Sequence, residues 1–207
     1  MKERVDIQFE KGTLEGVFQG AENSCGVIIT HPHPEYGGNM NNIVVRTLEQ
    51  AYLDNGYATL RFNFRGTGKS KGSYDTFFDL CEDVIAAAFF LQDRGILSLA
   101  LGGYSFGSWV NAHTDFKETT LLHQLLISPP VSFMDFTDVP GFKCPSFVIC
   151  GDRDEYADAD ELKDYLKRWH ITSFEQISGC DHFYSGKTKA LSDSIFKCIS
   201  PQSEVLR

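Results

Sequence analysis

Two hydrophobic rhythms alternate along this chain. Residues 5–10 and 13–19 read as strands joined at Lys11-Gly12, a hairpin signal, and residues 25–30 form a short apolar run suited to a strand buried on both faces. The period then lengthens. Val44, Leu48, Ala51 and Tyr52 fall at i, i+4, i+7 and i+8, one face of a helix that Asn55-Gly56 would end. Residues 57–63 predict a strand, and Phe77, Cys81, Val84, Ile85 and Ala88 mark a second helical face. Three more apolar runs follow, at 97–103, 124–128 and 146–150. Ala159, Leu162, Leu166 and Trp169 give a third helical stripe, 172–177 a last strand, and Leu191, Ile195, Cys198 and Ile199 a closing helix.

An antiparallel start followed by alternating strands and helices predicts an α/β protein with a mostly parallel, doubly wound sheet of about eight strands. No linker or repeat divides the 207 residues, so residues 1–207 read as one domain. In such sheets ligands collect at the carboxyl ends of the strands, which directs attention to the loops that follow them.

Composition narrows the classes. Hydrophobic residues make up 42% and charged residues 23%, as in globular proteins, and the net charge of -9 leaves no basic surplus for nucleic acid or an anionic membrane. The first residues lack the apolar core of a signal peptide, and no run is long enough to span a bilayer. The six cysteines are therefore expected as reduced thiols in a cytoplasmic protein, and without a C-x-x-C pair they do not suggest zinc. Oligomeric state is left open.

The most informative loop is Gly103-Tyr104-Ser105-Phe106-Gly107, between a strand and a helix. A sharp strand-to-helix turn pushes the central side chain outward and needs small residues two positions either side, which makes Ser105 a candidate nucleophile. A nucleophilic serine needs a base, and the base an orienting acid. His113, His123 and His170 fall in or beside helices or at strand starts, whereas His182 follows the last strand. The loop after the preceding strand, Cys150-Gly151-Asp152-Arg153-Asp154-Glu155, offers the acid, with Asp154 preferred and Asp152 the alternative. Asp181 reads as a side chain that fixes its own loop.

Oxyanion donors are expected from the Phe106 N–H, at the start of the helix, and from the His31-Pro32-His33-Pro34 loop. Proline has no N–H, so the His33 amide is the donor left between the two. A metal reading of His31-x-His33 lacks a third ligand at any suggestive spacing. Arg65-Gly66-Thr67-Gly68-Lys69-Ser70 imitates the end of a phosphate-binding loop, but Asn63 stands where that pattern needs glycine.

Together HPHPEYGGNMNN, RFNFRGTGKSKG, GGYSFGS, ISPPV, GDRDE and GCDHFYSG resemble, in order and over nearly the whole chain, a family of small lidless α/β-hydrolases. The likeness extends, more distantly, to carboxylesterase and serine peptidase branches. It implies the α/β-hydrolase fold without a cap domain and a Ser105–Asp154–His182 triad, and no cofactor is expected. The implied activity is hydrolysis of small esters, with thioesters and amides as variants. The alternatives are a catalytically silent binding protein of the same fold, or an acyltransferase to an acceptor other than water. Tyr36, Phe106, Phe133, Phe136, Phe183 and Tyr184 are the aromatic candidates for an acyl pocket.

Overall fold

The chain runs β1 (Lys2–Phe9), β2 (Gly12–Gln19), β3 (Cys25–Thr30), α1 (Ile43–Asp54), β4 (Ala58–Phe62), α2 (Leu80–Gln92) and β5 (Ser98–Tyr104). It continues through α3 (Phe106–His113), β6 (Leu121–Ile127), β7 (Ser146–Gly151), α4 (Ala159–Arg168), β8 (Ser173–Ile177) and α5 (Thr188–Ile199). These elements come from a computed structural model that describes residues 2–22, 24–117 and 119–200. The eight strands form one sheet in the order β1-β2-β4-β3-β5-β6-β7-β8. β1 and β2 pair antiparallel, β2 meets β4 antiparallel, and every later pair is parallel.

Helices cover both faces, as the apolar central strands require. On one side Val44, Leu48 and Tyr52 of α1 pack with Leu191 and Ile195 of α5 over Val27, Ile29 and Ala100. On the other, Val84 and Ala87 of α2, Trp109 and Val110 of α3, and Leu162 of α4 share a core with Ile28, Leu60 and Leu101. The link from 128 to 145 holds neither helix nor strand, so no cap covers the carboxyl edge of β5 to β7.

Two sequence readings shift. β6 begins at Leu121 rather than Gln124, which puts His123 inside the strand, and the register slips between Leu99 and Ala100 to accommodate the start. In α2 the buried face is Leu80, Asp83, Val84, Ala87 and Leu91, while Cys81 and Ile85 are only half-buried. That helix is apolar almost all round, so its periodicity could not choose a face. A polar contact decides it: Asp83 accepts from the Arg65 backbone N–H (2.8 Å) and Nε (2.7 Å), both side chains being fully buried.

The loop that imitates a phosphate site is filled by the protein itself. Glu15 Oε2 accepts from the Lys69 N–H and from Asn63 Nδ2, each at 3.0 Å. A carboxylate sits where an anion would go, with Asn63, the residue that breaks the motif, as one of its donors.

Candidate active site

Ser105 stands between β5 and α3 with φ 53° and ψ −119°. That backbone region is strained for any residue with a Cβ, at a cost of about 1–3 kcal/mol. The neighbours explain how it is held. A Cβ on Gly103 would lie 2.7 Å from the Gly107 carbonyl, and one on Gly107 would lie 2.7 Å from the Thr30 carbonyl. Both contacts are to backbone, so only glycine lets β3, β5 and α3 close together. Thr30 Oγ1 then donates within this junction, 3.0 Å from Gly107 O, and Ser108 Oγ donates to Gly103 O at 2.8 Å.

His182 lies in the loop after β8, with Nε2 2.9 Å from Ser105 Oγ and Nδ1 2.8 Å from Asp154 Oδ1. The three residues are 9%, 7% and 4% exposed, so the chain of bonds is shielded from water yet reaches the surface at the serine. Tyr104, next to the serine, donates its hydroxyl to the His182 carbonyl at 2.9 Å and fixes that loop. Asp154 follows β7, where its Oδ1 also accepts from the Tyr156 and Ala157 N–H groups at 3.0 and 2.9 Å. Burial would push the Asp154 carboxyl up. The hydrogen bond and charge of His182 more than reverse this, with help from the Ser128 hydroxyl and the Ala157 N–H, and hold it below the usual carboxylate range.

Asp152 joins the two loops instead. It accepts from Ser178 Oγ and the Cys180 N–H at 3.1 and 3.2 Å. Asp181 accepts from the Phe183 and Ser185 N–H groups and fixes its own turn.

His33 packs its ring 4.6 Å from that of Phe106, which brings the Pro32–Pro34 loop onto the start of α3. Its Nδ1 accepts from the Glu35 N–H at 3.2 Å, and burial lowers its pKa despite the charge of Glu35, so the ring is neutral with the proton on Nε2. His31 is fully buried and both ring nitrogens are used: Nδ1 donates to Pro32 O at 2.7 Å, and Nε2 accepts from the Phe64 N–H at 3.1 Å. Burial drops its pKa to about 4. These bonds leave it no lone pair for a metal.

Around Ser105 lies an open cleft of about 450 Å³ walled by Tyr36, Tyr104, Phe106, Phe133, Met134, Tyr156 and Phe183. Four of the six aromatic residues expected there are present. Phe136 and Tyr184 are not, being 0% and 1% exposed: Phe136 packs on Trp169, and Tyr184 is bonded to Ser128 beneath the acid. Tyr156, whose ring is 4.8 Å from that of His182, had no distinguishing sequence signal beyond lying two residues after Asp154.

An eight-stranded, mostly parallel sheet with a strained serine at the β5–α3 turn is the α/β-hydrolase fold. No protein-family model matches the sequence. The chain is 36% identical over 198 residues to an uncharacterized protein of Rickettsia prowazekii (strain Madrid E), covering 89% of this chain and 83% of that one. It superposes on an α/β serine hydrolase homologue from Coxiella burnetii with TM-score 0.87 and 33% identity, over 96% of this chain and 97% of that one. A serine hydrolase without a lid from Xanthomonas campestris aligns with TM-score 0.85 and 27% identity, over 96% and 93% of the two chains. The chain belongs to this family of α/β serine hydrolase homologues.

Proposed function

We propose that the protein is a carboxylesterase-like serine hydrolase that cleaves small esters through an acyl-enzyme on Ser105. The observation that carries this reading is the unbroken hydrogen-bonded line from Asp154 through His182 to Ser105, ending in an uncapped aromatic cleft. His182 accepts the hydroxyl proton at Nε2 as Ser105 Oγ bonds to the substrate carbonyl carbon, and Asp154 holds the imidazole with its other proton on Nδ1. The His33 and Phe106 amides receive the oxyanion. Collapse of the tetrahedral species breaks the bond to the leaving alkoxide, which takes the proton from His182. Water then repeats both steps and frees the acid.

No resident cofactor enters this scheme. Esters rank above amides because the leaving group needs less help and an open cleft grips a peptide poorly. Cys81, Cys144, Cys150, Cys180 and Cys198 stand as free thiols, which supports a cytoplasmic setting.

The test is labelling by a fluorophosphonate probe, with the adduct located by peptide mass spectrometry, followed by a panel of short- and medium-chain esters. Labelling at Ser105 with ester turnover is the expected result. An unlabelled, folded protein overturns the activated serine. Labelling without hydrolysis favours the silent binding protein, and turnover that depends on added alcohol or amine favours the acyltransferase.

A further inference from the structure

The hydrogen-bonded line does not end at Asp154. Its Oδ1 has three donors, but Oδ2 is buried without a hydrogen-bond partner. The Ser128 hydroxyl, just beyond β6, acts on the same carboxyl and draws it towards its ionised form. Ser128 Oγ is in turn 2.8 Å from the hydroxyl of Tyr184, two residues beyond His182.

Counting protons assigns the donors. Tyr184 has one, and its acceptors are Ser128 Oγ at 2.8 Å and Ile149 O at 3.4 Å. Ile149 O is already served by the Ser128 N–H at 2.7 Å. If Tyr184 donates to Ser128, the Ser128 proton is free for Asp154 Oδ2 and no buried oxygen is left unmet. If Ser128 donates to Tyr184 instead, Oδ2 is an orphan beside a buried charge.

The backbone carries a second mark. Ser128 has φ 47° and Tyr184 φ 57°, both in the left-handed region, and both are buried. Glycine would suit the Ser128 backbone better. The hydroxyl is what glycine lacks.

We infer that Ser128 and Tyr184 are positioning residues: Tyr184 orients the Ser128 hydroxyl, and that hydroxyl holds Asp154 in the plane that serves His182. This inference rests on the triad proposed above. Tyr104, Cys150 and Cys180 also lie around Asp154; burial pushes the Tyr104 phenol up, and the two thiols up to about 12 and 11, so all three stay neutral. The charged groups Asp152 and Asp181 are tied in the loop bonds described above.

The experiment uses Ser128→Gly, which relieves the backbone while deleting the hydroxyl, and Tyr184→Phe. Low-field proton NMR follows the proton between His182 and Asp154 against pH, alongside steady-state kinetics on an ester the parent cleaves. Without the hydroxyl the carboxylate is a stronger acceptor and holds the imidazolium more tightly. Its titration midpoint, and the acid limb of kcat/KM, should rise by about half a unit or more, while kcat falls on the order of tenfold at unchanged KM. Tyr184→Phe should move both the same way by less. An unshifted midpoint in Ser128→Gly overturns the inference. Because the NMR reading needs no turnover, a parent that fails to label at Ser105 sinks the proposed activity separately.

Discussion

Asp152 and Asp154 sit two residues apart on one loop and bond to different halves of the site: Asp154 Oδ1 to His182 Nδ1, Asp152 to the Ser178 hydroxyl and Cys180 N–H. Sequence order alone left the pair ambiguous. The separation comes from where the chain turns after β7, with Asp154 4% exposed and Asp152 outside on the surface.

Replacing each by asparagine should split them. Asp154→Asn keeps the shape but favours the wrong imidazole tautomer, and ester turnover should fall on the order of 10⁴-fold. Asp152→Asn should change kcat by no more than a few-fold, since it removes only a loop tie. Comparable losses in the two variants would show that the acid has been misassigned.

The elbow glycines are the next test. Gly107→Ala places a methyl 2.6 Å from Thr30 Oγ1 and 2.7 Å from the Thr30 carbonyl, and the backbone contact is not relieved by turning a side chain. It should lose about 2–3 kcal/mol of stability in urea denaturation, the usual cost of forcing extra volume into a close-packed junction. Fluorophosphonate labelling should fall with it, because the same contact sets the turn that presents Ser105. A variant of parental stability would mean the junction can open.

Most of this architecture was legible because the signals were local. The apolar run at 25–30 and the glycine spacing around Ser105 each follow from one element's own chemistry, and the position of His182 follows from strand order. What was not legible depended on contacts across the fold. Tyr184 looked like an acyl-pocket aromatic, yet its hydroxyl is drawn under the acid by Ser128, just beyond β6 and 56 residues away. The inward face of α2 was set by Arg65, a residue outside the helix. Tyr156 reached the cleft only because the Asp154 turn carries it there.

The cleft walls should set chain length rather than chemistry. Phe133 and Phe183 are 56% and 61% exposed at its rim, so truncating either is expected to leave the fold intact. Phe133→Ala should raise KM about tenfold for a medium-chain ester, as removal of an apolar contact worth roughly 1–2 kcal/mol would do, with kcat on acetyl esters unchanged. An equal loss on acetyl and longer esters would contradict an acyl-binding role for this wall.

Acid should unfold the protein through histidines that the chemistry does not use. Burial lowers His31 and His123 from 6.5 to about 4. His31 Nε2 accepts from the Phe64 N–H, and His123 Nε2 is paired with the Tyr52 hydroxyl at 2.8 Å. Between pH 6.5 and 4 the unfolded chain takes up protons that the folded chain refuses, so stability drops as pH falls through that window and levels off below it. Each histidine can contribute up to about 3 kcal/mol to the loss. Asp154 acts lower: its depressed carboxyl stabilises the fold above the ordinary aspartate range, and that support goes as pH falls through its own folded value. Chemical denaturation from pH 7.5 to 3.5 should therefore show a flatter slope in His123→Gln than in the parent, confined to the span from 6.5 to 4. Parallel slopes across that span would mean His123 takes up its proton in the folded state as readily as in the unfolded one.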